Sequence, residues 1–364
     1  MKNWIPLLLG AIFTTPYAIA NIDLGEYATL SGFGSTSWSK SDNAMPLLIH
    51  REIDDNDCFD CDTTFGLQLD LYYDNIRASA QLVKRPQDNW SDPELEWAYL
   101  AYNLENWTFQ IGRLRAPLFL YSEYYYVGQA YTPSRPPTEV YSSILGITYY
   151  EGGSVTWTQD VGEQYTLSVT PFAGIKDSKD IRLSDSTFLE LETDDMYGLN
   201  IVFSSNNYRW NFSYLNSEYD QKVTLFNHMV DTPSGPIILP SVVEVEKDIG
   251  IELFSIGAEY EFDNLTFTTE AQKSDRTTSW YAMVANRYGQ WTPYLSFAQQ
   301  YDENDKLEAD SLLLGARYDI FYNVSINAEW QYFNNKQPLV NGAFVEEPED
   351  KHANLFTVML NFVF

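Results

Sequence analysis

The chain has 364 residues, and its 22 Lys and Arg stand against 51 Asp and Glu, for a formal charge of −29. That deficit of cations excludes a nucleic-acid partner, because neutralising phosphates takes Lys and Arg in excess, and a chain that is 45% hydrophobic and 16% aromatic is not disordered. Past the N-terminus no run reaches the roughly 20 apolar residues a spanning helix needs, and two Cys do not make a disulfide scaffold.

Residues 1–20 read as a secretory signal peptide. Lys2 supplies the basic start, Ile5 to Phe13 the apolar stretch, and Ala18-Ile19-Ala20 the small-x-small cleavage signal. The mature chain then begins at Asn21, and residues 21–364 form one domain with no linker dividing it.

From Glu26 onward the dominant period is two. Phe65, Leu67, Leu69, Leu71 and Tyr73 share one face, against Thr64, Gly66, Gln68, Asp70 and Tyr72. Trp210 and Phe212 alternate with Arg209, Asn211 and Ser213, and Ile326, Ala328 and Trp330 with Ser325, Asn327 and Glu329. The pattern predicts sixteen strands: 26–38, 63–73, 75–84, 94–103, 106–113, 152–159, 165–175, 195–204, 207–219, 248–262, 265–274, 278–288, 291–301, 310–320, 324–333 and 353–364. Their usual length, about 10 residues, is what a tilted membrane-crossing strand needs. Short turns such as Asp74-Asn75, Ser205 to Asn207 and Asp263-Asn264 alternate with mostly longer links: 39–62, 85–93, 114–151, 176–194, 220–247, 275–277, 302–309 and 334–352. That segregation of loop lengths predicts an all-β, 16-stranded antiparallel transmembrane β-barrel. Tyr72, Tyr73, Tyr102, Trp107, Tyr165, Tyr208, Phe262, Tyr288, Trp291, Phe321 and Tyr322 crowd the short-turn ends, where an interfacial girdle belongs.

The link after the fifth strand is too aromatic and too rich in proline for a solvated loop. It reads Arg113-Leu114-Arg115-Ala116-Pro117, then Tyr121-Ser122-Glu123-Tyr124-Tyr125-Tyr126, then Tyr131-Thr132-Pro133-Ser134-Arg135-Pro136-Pro137-Thr138-Glu139. Such a segment suits inward folding against the barrel wall, with 142–150 as its returning arm. Here the chain resembles the sixteen-stranded Gram-negative porins, whose third external loop enters and narrows the lumen. Its last strand, with Leu360, Phe362 and Phe364 on one face, resembles the signal by which outer-membrane proteins meet their assembly machinery. The resemblance implies a constriction loop, a homotrimer in the outer-membrane lipid bilayer, and passive diffusion of small hydrophilic solutes and ions. An anion-specific channel is the nearest alternative, and an outer-membrane enzyme or a structural or adhesive barrel lies further off.

The candidate pore-lining residues are Arg77, Arg209, Arg287 and Arg317 on the polar strand faces, and Arg113, Arg115, Glu123, Arg135 and Glu139 in or beside the inward link. Asp70, Glu96, Glu259, Glu270, Asp319 and Glu329 share those polar faces. Two readings coexist: an eyelet of opposed charges, or ion pairs that pin the link to the wall. Arg77, Arg209 and Arg287 lie near short turns and therefore near the periplasmic mouth. Cys58 and Cys61 in the first external link are expected to form a small disulfide. The acidic run Glu52, Asp54, Asp55, Asp57, Asp60 and Asp62 lacks the EF-hand spacing and reads as a solvated face, with cation bridging to lipopolysaccharide as the alternative. No cofactor, metal or catalytic motif is present in the sequence. His50, His228 and His352 all fall in external links, as do the Asp-Asp pairs at 54–55 and 194–195.

Overall fold

A computed structural model describes residues 21–86, 92–143, 148–182, 187–226, 229–232, 235–238, 240–336, 343–345 and 348–364. Residues 1–20, on which the expected signal peptide and cleavage site fall, and His228 lie outside the described residues. Sixteen antiparallel strands close a barrel. They are β1 Ala28–Ser41, β2 Thr64–Tyr73, β3 Ile76–Lys84, β4 Glu94–Leu104, β5 Trp107–Arg115, β6 Tyr149–Val161, β7 Tyr165–Gly174 and β8 Thr187–Ser204. The second half comprises β9 Tyr208–Leu225, β10 Val242–Phe262, β11 Leu265–Ser274, β12 Thr277–Asn286, β13 Trp291–Asp302, β14 Leu307–Phe321, β15 Val324–Asn335 and β16 His352–Val363. Each strand pairs with the next, and β16 pairs with β1 through Phe33↔Val363 to Ser41↔Leu355. Closure leaves no edge unpaired, as a bilayer requires.

Alternation sorts the side chains. Leu67, Leu69, Leu100, Phe109, Ile111, Phe212, Ile256, Leu295, Leu314 and Val358 are exposed on the outer surface. Ser79, Gln81, Asn200, Ser213, Ser255, Ser325, Asn327 and Thr357 are buried inside. A closed barrel that is apolar outside and polar inside is the arrangement a membrane demands. The girdle aromatics are exposed at the short-turn end, except Tyr208, which is half-buried. Three of the short turns start on a left-handed residue, Asp74 (φ 52°), Glu105 (φ 48°) and Asp263 (φ 49°), as tight hairpins need.

Residues 22–23 and the C-terminal residue both pair with β1 at this same rim. Ile22–Asp23 adds a short strand to β1, and Phe364 exchanges backbone hydrogen bonds with Gly32. A Cβ at Gly32 would collide with the Phe364 ring, so glycine is what lets the terminal aromatic lie flat across β1.

Three strands run further than their periodicity suggests. β8, β9 and β10 pair as far as Thr187↔Leu225 and Leu225↔Val242, so much of 176–194 and 220–247 is strand and not loop. Asp177–Arg182 extends the same sheet by pairing with β8. Asp194 and Asp195 therefore lie within β8. The acidic residues here alternate with Leu189, Leu191, Val243 and Val245, but their charge makes the segment look like solvated loop. His352 likewise opens β16, stacked on Tyr332.

Candidate functional site

Residues 116–143 of the link are hydrogen-bonded to inward-facing side chains from strand after strand. The Pro117 carbonyl accepts from Asn200 Nδ2 (3.0 Å, β8) and Ser213 Oγ (2.8 Å, β9). The Leu118 carbonyl accepts from Ser255 of β10. On β11, Glu270 accepts from the Leu120 backbone N–H at 2.6 Å and from Tyr141 Oη at 2.8 Å. Leu118 and Leu120 are fully buried, and Leu118 packs with Leu215, Leu253, Tyr281 and Met283. One glutamate thus ties the outgoing and returning arms of the link to the wall.

A second set of ties holds the middle of the link. Arg317 Nη1 on β14 donates to the carbonyls of Gln129 (3.2 Å) and Tyr131 (2.8 Å). Asn327 on β15 donates to the Thr132 carbonyl at 2.8 Å, and Glu329 accepts from the Ser134 N–H at 2.7 Å. Between the ties Tyr121, Tyr124, Tyr125, Tyr131 and Tyr141 pack ring on ring, at centroid separations of 5.5–6.0 Å. Burial pushes the Tyr121, Tyr131 and Tyr141 phenols up, so they remain neutral hydrogen-bonding groups.

Arg135 ends this run. Its Nε and Nη2 reach Asp62 Oδ1 (3.1 Å) and Oδ2 (3.2 Å), and Nη2 also donates to Thr357 Oγ1 at 2.6 Å. Asp62 takes a further ion pair from Arg51 at 2.7 Å and hydrogen bonds from Ser37 and Ser39 at 3.0 Å each. Burial alone raises a carboxyl, but Arg135 and Arg51 overcome it and hold Asp62 at about 2. Asp62 is therefore no part of a solvated acidic face: it is buried and joins the first external link to the inward one. Asp55 and Asp57 remain exposed. Cys58 and Cys61 are disulfide-bonded in the same link.

On the other side, Glu96 is fully buried between Arg85 and Arg115, which both pair with it. A register shift between Gln81 and Leu82 sets Trp97 opposite Gln81 and Leu95 opposite Leu82, leaving Glu96 as the extra residue of a bulge. Arg113 pairs with Glu151 at 2.6 Å and lies over the Tyr149 ring.

Among the sequence-derived candidates, Arg113, Arg115, Arg135 and Arg317 are thus ion-paired, and Arg115, Arg135 and Arg317 pin the link. Arg113 and Arg115 lie in β5 itself. Arg77 pairs with Asp70 at 2.8 Å, and Arg209 donates to Tyr124 Oη at 2.7 Å. Arg287 is not on the barrel wall: it falls in the turn after β12, its side chain largely exposed and 3.6 Å from Asp319. Glu139 is buried beneath the link, and its Oε2 has no hydrogen-bond partner among the described residues; burial pushes its carboxyl up. Glu123 is exposed, facing open space.

That space is a chamber of about 410 Å³. It lies between the link, through Arg115, Pro117, Glu123 and Tyr124, and the wall from β2 to β8, through Gln68, Arg77, Trp97, Gln110, Thr170 and Asn200. The link is tied to inward-facing side chains from β8 to β16, its Tyr126 packs against Phe33 and Val83, and the chamber remains between it and the rest of the wall. Periodicity places the wall residues inward. It does not reveal Trp97, whose place follows from the bulge, or the polar partners Asn200, Ser213, Ser255 and Asn327, whose contacts lie far away in the chain.

By sequence, no protein-family model and no curated protein matches the chain. By structure, it is similar to the anion-selective porin from Comamonas acidovorans, with a TM-score of 0.61 at 10% identity over 93% of this chain and 99% of that one. Salmonella typhi OmpF in complex with daunomycin aligns with a TM-score of 0.58 at 13% identity, over 94% of this chain and all of that one. OmpT, an outer membrane protein of Vibrio cholerae, in its trimer form, gives 0.52 at 10% identity over 93% of this chain and 100% of its own. At these identities the likeness establishes the fold: the chain is a closed, sixteen-stranded antiparallel barrel of the kind seen in outer-membrane porins.

Proposed function

We propose that the protein is an outer-membrane porin, a passive diffusion channel for small hydrophilic solutes and ions. In this reading residues 1–20 direct export, the mature barrel 21–364 assembles as a homotrimer, and Phe364 engages the outer-membrane assembly machinery. The link 116–148 is the constriction loop. Arg77, Arg209 and Glu123 line the narrow passage, and Arg115, Arg135 and Arg317 hold the loop in place.

The observation that carries the proposal is the half-filled lumen. The loop is fixed to one wall by polar ties from β8 to β15, while a polar chamber stays open against the other. A structural barrel has no need of that asymmetry. A hydrolase needs an activated nucleophile, usually with His beside it, yet His50 lies in the link after β1 and His352 at the start of β16, and neither lines the chamber. The pairing of Arg77, Arg113, Arg115 and Arg135 with carboxylates weighs against an anion-specific pore, which needs unpaired cations. The test is conductance of the purified protein in a planar bilayer. Stepwise channels of uniform size are expected; a protein that inserts without conducting overturns the proposal.

A further inference from the structure

We infer that the chamber is built to bind uncharged polyhydroxylated solutes, mono- and disaccharides in particular, as they pass. This rests on the channel reading and names the solute class it favours.

The first ground is charge. The cations around the chamber are Arg77, Arg115 and Arg209, and the carboxylates set against them are Asp70, Glu96 and Glu123. Arg77 and Arg115 are each bonded to their partners, and Arg209 is bonded to Tyr124 on the loop with Glu123 beside it. Charges matched at such close range leave little net field for a passing ion, so ions gain little there beyond what water offers.

A second ground is the lining between the charges, which is a ladder of neutral amides and hydroxyls. Gln81 donates to Gln68 at 3.0 Å, Ser154 to Gln110 at 3.2 Å, and Thr156 and Thr170 share a hydrogen bond of 2.9 Å. Each amide keeps donor or acceptor capacity beyond these bonds. Groups of this kind match alternating hydroxyls, which both donate and accept.

The third ground is Trp97. Its indole Nε1 donates to Ser79 Oγ at 3.1 Å, which fixes the ring on the wall of the chamber. The other chamber aromatics are already covered: Arg77 lies over Tyr99, Arg209 over Tyr124, and Phe172 against Tyr150. Among the described residues nothing stacks on Trp97. An open, half-buried aromatic face in an otherwise hydrophilic chamber suits the C–H face of a sugar ring, an apolar surface rimmed by hydroxyls. The volume, about 410 Å³, falls within the roughly 300–1,000 Å³ of small-molecule sites.

The experiment records single-channel current through the full mature protein in a planar bilayer, with sucrose added and citrate as the charged comparison. Sucrose is expected to interrupt the current reversibly, at concentrations where citrate does not. Trp97→Ala should shorten the sucrose residence time about tenfold, Trp97→Phe should restore most of it, and Phe59→Ala, in the external disulfide loop, should leave it unchanged. A conducting channel that sucrose never interrupts, or one whose sucrose residence time is the same in Trp97→Ala, overturns the inference and leaves the porin reading standing. A protein that carries no current overturns the porin reading itself.

Discussion

Asp62 and Glu139 are both buried carboxyls beside the loop, and their surroundings give them opposite effects on stability. Asp62 is met by two guanidiniums and two hydroxyls. Replacing it by Asn removes the carboxylate from Arg51 and leaves Arg135 only the longer pair to Glu329 at 3.8 Å, a loss of about 3–5 kcal/mol for a broken buried pair. Asp62→Asn is therefore expected to lower the heat-unfolding midpoint of the barrel. Because the Asp62 carboxyl is held at about 2, below its ordinary 3.8, its contribution is complete above about pH 4 and is lost as the pH falls through 2. The loop should become more open to protease over that interval in wild-type protein and show no such step in Asp62→Asn. Among the described residues Glu139 has no ion pair and its Oε2 has no hydrogen-bond partner. Its raised carboxyl means that ionisation destabilises the fold as pH rises. Glu139→Gln, which cannot ionise, should raise the unfolding midpoint at neutral and higher pH and leave it nearly unchanged at acid pH.

The loop is an element with little regular structure of its own, a few single turns such as Thr138–Tyr141, and its shape comes from the wall. Removing residues 122–131 takes away the Tyr124, Tyr125 and Tyr126 cluster and should raise single-channel conductance severalfold; an unchanged conductance would show that the passage runs elsewhere. The Cys58–Cys61 bridge closes a very short loop outside the barrel, so the double Ser variant should unfold at nearly the wild-type temperature. The strands were legible from the sequence because period two is a local signal, and every predicted strand has its counterpart. The outer reaches of β8, β9 and β10 and the strand Asp177–Arg182 escaped; on β8 and β10 acidic residues occupy alternate positions and hide the pattern. The loop's packing against the wall was legible from its aromatic and proline content. Its partners were not, since Arg135 meets Asp62 and Thr357 by a closure of the whole barrel that no local pattern encodes. The disposition of Arg287 was misread for a smaller reason: β12 stops at Asn286, one residue before it.

Over the whole molecule, the charge is −29 and much of it stands on the outer side. Glu190, Glu192, Asp194, Glu244, Glu246 and Asp248 lie on the outer reaches of β8 and β10, with Lys176, Lys222 and Lys247 as partial counter-charges. In the proposed channel that field would gather cations at the outer entrance, while the paired charges of the chamber would discriminate little. Reversal potentials in a KCl gradient should report a weak cation preference that shrinks as salt rises, since the Debye length is about 8 Å at physiological ionic strength and about 3 Å at 1 M. A strong anion preference at high salt would contradict both the pairing of the arginines and the general-channel reading.

The seam between β1 and β16 joins residues from opposite ends of the chain. Until the last strand has left the ribosome and docked, the growing sheet has two open edges and an apolar outer face, the state most prone to pair with other chains. The sequence separation of this pairing also makes closure slow to find unaided. Closure of the barrel therefore waits on the docking of β16 against β1. Damage along the seam should be felt as a fall in the number of finished channels per cell, while those that do close conduct normally.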